Sequence, residues 1–396
     1  MTSTKIRVVS EPREFESLSE VWDSLLRKSK DNNPIYLTHE WLSTWWKHFG
    51  EGKKLNVLLI EKEGQLIGIV PLMRTEYRIG LFKIRALETM GSLNCNHIGL
   101  IGSGSSEEAV SAFLTYLEEE FANGELVLRL AWVPDDSRFL DLLRSRISLP
   151  TSNLIMQEKV KTLAPYITLP STWDEYSRWL SPNRRHVLRR KLRSLEKAHS
   201  VEFRDCTKDN LDDMLSRFIN LHERRWQSAN VSHVFSDPEM KGFYRDIATR
   251  FLEKGWLHFS CLFVDSETVS AEFGFIYNHK FYCATSARDV GYSEYSVGHL
   301  HQMFLIKHAI EKGLREFDFL RGVEPYKFHW TKSARKYMNV IIVKKGLCSG
   351  LRLKLISAFL RFHEIKQYSL KEIYYLYLMK RREAKQRKEM GVGTLV

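Results

Sequence analysis

Hydrophobic residues recur along this chain with two periods. In residues 14–29, EFESLSEVWDSLLRKS, the side chains of Phe15, Leu18, Val21, Trp22 and Leu25 fall at the three- and four-residue spacing of one helix face. HEWLSTWWKHFG repeats that spacing with Trp41, Trp45 and Trp46, which predicts a core-filling helix that stops at Gly50. LNVLLIEKEGQLIGIVPLMRTE instead shows two β-rich runs around a KEG turn and predicts a hairpin. Further strands are expected in IRALETM, HIGLIG and ELVLRLAWVP, with a helix at EEAVSAFLTYLEEEFA and another over residues 139–146. Residues 1–160 therefore read as one mixed α and β domain.

The pattern then starts again. SPNRRHVLRRKLRSLEKAH opens with a Ser-Pro helix start and carries Leu188, Leu192 and Leu195 as an apolar stripe. Two more helical segments, NLDDMLSRFINLHERRW and DPEMKGFYRDIATRFLEKG, precede three consecutive β-runs within residues 257–289. A glycine-bearing turn, the helix HLHQMFLIKHAIEKG and the short strand REFDFL follow. The hairpins VLLIEKEGQLIGIVPL and SCLFVDSETVSAEFGF match in outline, with Gly68 opposite Ala271, so one domain plan is used twice. Residues 161–350 form the second domain and residues 351–396 a basic helical tail. In the tail Leu353, Ile356, Leu360, Tyr374 and Leu378 recur at helical intervals, which suits packing on the body or lying on an anionic membrane.

Composition adds limits. A net charge of +12 over 396 residues favours polyanions or phosphorylated small molecules without choosing between them. The N-terminus lacks the apolar run of a secretory signal and no stretch of about 18 apolar residues occurs. A cytoplasmic protein is expected, at most peripheral to the inner face of the membrane. Cys95, Cys206, Cys261, Cys283 and Cys348 are scattered and odd in number, which predicts reduced thiols. Histidines at metal-ligand spacing such as HExxH do not occur, so no metal is expected.

Candidate chemistry gathers between residues 270 and 330. Ser296 and Gly298 lie in a strand-to-helix turn, where unpaired N–H groups and the helix dipole suit a pyrophosphate. Glu272 alternates with Ala271 and Phe273, so it is either a desolvated general base or a surface carboxylate. Asp318, between two Phe, needs a partner or a site to face. Asp289 either serves a site or caps a turn. At a helix end, Arg224 and Arg225 either hold an acidic substrate or form a terminal ion pair.

Taken in order, SPNRRHVLRRKLRSLEK, LHERRW, AEFGF, YSVG, EKG, FDFLRG and YKFHW resemble the CelD/BcsL-like acetyltransferase family of the GNAT superfamily. HEWLSTWWKHFG and its hairpin resemble the N-terminal half of those proteins, so the likeness spans most of residues 15–345. The resemblance implies an α+β fold with a mixed sheet, built as two tandem GNAT-like (acyl-CoA N-acyltransferase) domains, as in the FemAB peptidyltransferases. It implies transfer of an acyl or acetyl group from acyl-CoA to an amine, in the setting of an amino sugar for polysaccharide or envelope biosynthesis. By position, Phe273 lies on the strand entering the cleft, and Ser296, Val297, Gly298 and His299 form the phosphate turn, although this loop has fewer glycines than the general GNAT pattern. Tyr326 and Lys327 match the pair that closes the domain, where the ammonium would either meet charge on the thioester carbonyl or hold an anionic acceptor. Glu272, Asp318 and Lys327 are the catalytic candidates. Arg185, Arg189, Arg224, Arg225, Trp226, Asp289 and Tyr326 are the candidates for substrate binding. Two alternatives stand beside this reading: a FemAB-like transfer from aminoacyl-tRNA, which would make tRNA a partner, and a non-catalytic anion- or membrane-binding protein. The long coiled-coil insertion frequent in tRNA-dependent FemAB proteins is missing from the sequence.

Overall fold

The computed structural model describes residues 4–29, 34–79, 82–91, 99–102, 107–123, 126–227, 234–346 and 349–366. The chain divides into two compact units, Met1–Leu163 with Arg335–Val396, and Ala164–Ala334.

The first unit begins with a strand that periodicity did not announce, β1 (Thr4–Val9), paired antiparallel with β2 (Lys54–Lys62). The single helix expected over residues 14–29 is two helices, α1 (Pro12–Glu16) and α2 (Ser19–Lys28). Ser17 makes the break: its hydroxyl donates to the Glu14 carbonyl at 2.7 Å and diverts that acceptor from the helical ladder. α3 (His39–Phe49) ends at Gly50 as expected and buries Trp41 and Trp45. β2 then folds onto β3 (Gln65–Ile79) through Glu63 and Gly64, both at positive φ, the twist of a two-residue hairpin turn. β4 (Phe82–Thr89), β5 (Ile101–Gly102), α4 (Glu107–Ala122), β6 (Leu126–Pro134) and α5 (Arg138–Ile147) follow. β4 pairs with β3 antiparallel and with β6 parallel. Phe113 and Leu117 of α4 pack on Leu58, Leu128 and Leu140, and all five are fully buried.

The division between units falls within β7 (Leu154–Thr168). In the second unit come α6 (Trp173–Trp179), α7 (Pro182–Ala198), β8 (Val201–Asp205), α8 (Leu211–Gln227) and α9 (Pro238–Glu253). β9 (Leu257–Val264), β10 (Glu267–Tyr277), β11 (Lys280–Arg288), α10 (Val297–Glu311) and β12 (Glu316–Asp318) complete it. Its strand order is β7-β12-β11-β10-β9-β8. Helix α7 starts as its sequence predicts: Ser181 accepts from the Arg184 N–H at 3.2 Å, and Leu188 and Leu195 are buried.

Two segments return to the first unit. β13 (Ala334–Lys344) pairs antiparallel with β6, whereas residues 335–350 were expected to stay with the second domain. Pairing between strands some two hundred residues apart leaves no local signature. α11 (Ser349–Lys366) buries Leu353, Ile356 and Leu360 beside Val127 and Val343. Tyr374 and Leu378 lie outside the described residues. Among the described residues no helix is long and apolar enough to cross a membrane. Cys206, Cys261 and Cys283 are free thiols, and Cys95 and Cys348 lie outside the described residues.

Candidate functional site

The second unit's sheet comes apart at one place. β11 and β12 run parallel for three residues only, Lys280–Tyr282 against Glu316–Asp318. Beyond Tyr282, β11 continues to Arg288 with β10 as its paired neighbour among the described residues. The closed end of this short ladder is held by Lys280 and Glu316, 3.0 Å apart and largely buried. One edge of residues 283–288 is therefore left facing an opening, where an extended amide-bearing chain can pair with the backbone.

A bulge decides what lines that opening. Phe273 pairs with Thr285 and Gly274 with Cys283, so Ala284 is an extra residue in β11. The bulge reverses the alternation and puts Cys283 on the same face as Glu272. There the Cys283 thiol donates to Glu272 Oε2 at 3.2 Å. Gly274 is required at the crossing, since a Cβ would stand 2.7 Å from the Tyr282 carbonyl oxygen. Glu272 is 3% exposed, and burial raises its pKa to about 8, opposed by the Cys283 hydrogen bond and by Arg288 and Arg225. Burial likewise pushes the Cys283 thiol well up, helped by Glu272, with Lys327 opposing and Asp318 reinforcing. The Tyr326 hydroxyl is pushed well up by burial, with Glu324, Cys283 and Glu272 adding to the rise and Arg225 opposing it, so it keeps its proton. Glu272, Cys283, Tyr326 and Arg225 thus share one field.

Asp318 and Lys327 are nearby but occupied. Asp318 Oδ1 accepts from the Leu320 N–H at 2.7 Å, where Leu320 has a φ of 58°. Lys327 Nζ donates to the carbonyls of Leu320 (3.4 Å) and Arg321 (2.7 Å) and stands 3.0 Å from Glu324 Oε2. Both side chains pin the turn after β12, where Gly322 sits at a φ of 113°. The Lys327 ammonium is engaged by the turn, and through it the residue positions the wall that carries Tyr326.

The start of α10 forms the other end of the opening. Ser296 takes the left-handed conformation (φ 56°) and begins the helix, leaving the N–H groups of Val297 and Gly298 without acceptors in the helix. The Val297 side chain is buried, so that residue offers its backbone only. The exposed Arg288 lies against Gly298, where an added Cβ would come 3.1 Å from its Cδ. Arg184 of α7 donates from Nη2 to His299 Nδ1 at 2.8 Å and stacks on Trp330 with its Cζ 4.9 Å from the ring centre. Its Nε is buried without an acceptor. Burial and the charges of Arg184, His329 and Arg288 hold His299 down to about 3, so the imidazole stays neutral. A helix N-terminus flanked by two guanidinium groups has the charge and the N–H donors that suit an anion.

Other expected residues stand elsewhere. Phe273 is fully buried, 5.0 Å from Tyr244 and 5.3 Å from Phe259 between ring centres, and β10 is paired on both sides. It is core, which corrects its assignment to the cofactor. Arg185 and Arg189 face a groove between α7 and α10 instead of the helix start. Arg184 reaches that start, one residue and so about 100° around the helix from Arg185. Arg224 stands 3.8 Å from Asp289, which also caps the turn after β11 by accepting from the Gly291 N–H at 2.8 Å. Trp226 lies on α8, with its side chain outside the described residues. Sequence reasoning missed Cys283, Arg184 and Arg288. Among the described residues no group of three His, Cys, Asp or Glu is placed to hold a metal ion.

This geometry accords with comparisons to known proteins. The model of the acetyltransferase (GNAT) domain matches residues 182–328, from the start of α7 to Phe328. Curated proteins give no significant match. Among solved structures the chain is similar to FemX, with 12% identity over 86% of this chain and 97% of that one and a TM-score of 0.56. It is also similar to the C-terminal domain of a putative lysylphosphatidylglycerol synthetase from Agrobacterium fabrum (9% identity, 87% and 95% covered, TM-score 0.52). A third is a protein of unknown function from Bacteroides thetaiotaomicron (13% identity, 86% and 100% covered, TM-score 0.51). The chain has a GNAT-like fold shared with FemX, and the part of its second unit from residue 182 to residue 328 matches the acetyltransferase (GNAT) domain.

Proposed function

We propose that the second unit transfers an acyl group from acyl-CoA to an amine. The observation that carries this reading is the parting of β11 from β12 after Tyr282, with the buried carboxylate of Glu272, of raised proton affinity, bonded to Cys283 at that point and a cationic helix start beyond Arg288. The pantetheine amides would pair with the free edge of residues 283–288, and the pyrophosphate would meet the Val297 and Gly298 N–H groups, Arg184 and Arg288. Amide formation needs a neutral amine, a proton acceptor and a proton donor for the leaving thiolate. Glu272 suits the first proton because its affinity lies close to neutral pH. Tyr326, held in its protonated form, suits the second. Arg225 adds positive charge near the acceptor side, which favours an acceptor that also bears an acidic group. An amino sugar of a polysaccharide or envelope precursor fits the CelD/BcsL-like motif order.

The test is free-thiol release from acetyl-CoA and longer acyl-CoAs with amine acceptors, amino sugars among them. Acceptor-dependent release that rises with pH towards about 8 is expected. Transfer from aminoacyl-tRNA with no turnover of any acyl-CoA would replace the donor and overturn this reading.

A further inference from the structure

On the face of the second unit formed by α6, α7 and α10 lies a groove of about 200 Å³ that the transfer chemistry does not use. Its floor is apolar, with Leu188 and Leu192 of α7, Phe304 of α10 and Trp173 of α6. Its rim is cationic: Arg185 and Arg189 one turn apart on α7, and Lys307 on α10. Arg185 Nη1 donates to the Ser177 carbonyl at 3.3 Å, and Lys307 Nζ stands 3.6 Å from Glu311. Arg189 is exposed. Beside Leu180, which also lines the groove, Trp179 stands 59% exposed, an unusual position for an indole. α7 as a whole carries seven Arg or Lys and one Glu. On α10 the groove begins some two turns beyond the anion-binding start, so the two sites are separate places on the same helix pair.

We propose that this face docks on an anionic phospholipid bilayer, with one acyl chain entering the groove and its phosphate held by Arg185, Arg189 and Lys307. Charge complementarity selects this occupant. An apolar slot alone would suit many hydrophobic segments, but one rimmed by three cations, continued by a basic helix and flanked by an exposed Trp has the make-up of a membrane-interface surface. Docking here depends on neither the acyl donor nor the acceptor.

Sedimentation of the full chain with vesicles tests the proposal. Vesicles of phosphatidylglycerol and phosphatidylcholine in equal parts should retain the protein, and vesicles of phosphatidylcholine alone should not. Retention should weaken as salt rises. Because Arg185 bonds within the fold, the charge reversal is made at exposed positions, R189E with K307E, and should weaken binding about tenfold or more. W179S should weaken it less. Vesicles carrying brominated acyl chains should quench tryptophan fluorescence in the parent, and by less in W179S. Equal retention on both vesicle types, or unchanged binding by a folded R189E/K307E variant, would overturn the proposal. So would binding of monomeric decanoate without vesicle binding, or a dimer that the reversal dissociates, since these would give the groove to a free amphiphile or to a second copy of the chain.

Discussion

The two units follow one plan and differ where the plan can open. In the first, β2, β3, β4, α4 and β6 succeed one another and β4 pairs parallel with β6; in the second, β9, β10, β11, α10 and β12 do the same, with β11 parallel to β12. Each parallel ladder holds a buried ion pair between directly opposed residues. Lys280 and Glu316 are the first pair of the β11–β12 ladder, so they close its base and leave the strands beyond free to part. Glu88 and Arg129, 3.0 Å apart, are the last pair of the β4–β6 ladder. The hydroxyls of Tyr77 and Thr75 also donate to Glu88, at 2.7 and 3.0 Å, so the first unit is bolted where the second opens. The helix starts differ in the same sense. α4 begins with Glu107 and Glu108, which satisfy its dipole and pair with Arg146 and Lys62, whereas α10 begins with bare N–H groups beside Arg184 and Arg288. A shared fold thus leaves activity to a few charged side chains and their place along a ladder.

The largest effect expected from breaking this contrast is at Glu272. E272Q should lower kcat about a hundredfold or more and remove the rise of rate with pH. A rate and pH profile like the parent's would free Glu272 of its role as base. The same variant should gain stability at alkaline pH. A carboxyl whose folded pKa is raised from 4.5 to about 8 contributes stability below 4.5 that is lost as pH rises through 8, and Gln does not titrate.

Next is the bolt of the first unit. E88Q leaves Arg129 largely buried without its charge partner and should cost about 3 kcal/mol in chemical denaturation while acyl transfer stays near the parent's. A large loss of kcat in the folded variant would show that the first unit shares the chemistry.

An effect confined to acid pH, and absent at neutral pH, follows from two buried histidines of the second unit. His301 shares hydrogen bonds of 3.0 Å with Ser260 and Ser270, and His258 stacks on His308 at 4.7 Å. Burial holds both down to about 3, and each remains neutral in the fold. Their contribution is present above the ordinary value of 6.5 and is lost as pH falls towards 3. Each should remove up to about 1.4 kcal/mol per pH unit in that window. H301N should flatten the acid limb of a denaturation series, and an unchanged limb would mean that His301 takes no part in it.

Much of the fold was legible because helices and hairpins are local. Trp41 and Trp45 marked α3, the Ser-Pro start marked α7, and alternation turned Glu272 away from the aromatic face. What escaped depended on distant or one-residue effects. β1, β7 and β13 are defined by partners far along the chain, and nothing in LIMQEKVKT tells of them. Cys283 stood hidden because an alternation count cannot foresee the bulge at Ala284. Arg184 and Arg185 are one position apart, which on a helix changes the face: Arg184 meets His299 at the start of α10, and Arg185 lines the groove between α7 and α10. Asp318 stood out as a polar residue in an apolar strand and Lys327 through the YKFHW motif, yet only their bonds to the turn at 320–324 show what they hold.

The central claim, that the second unit binds acyl-CoA and the first does not, is tested most directly by titration calorimetry of the full chain with CoA. One CoA per chain is predicted, with affinity falling about tenfold or more in R184A/R288A, which removes the two charges at the start of α10, and holding in E88Q. Two CoA per chain, or an affinity untouched by R184A/R288A, would contradict it.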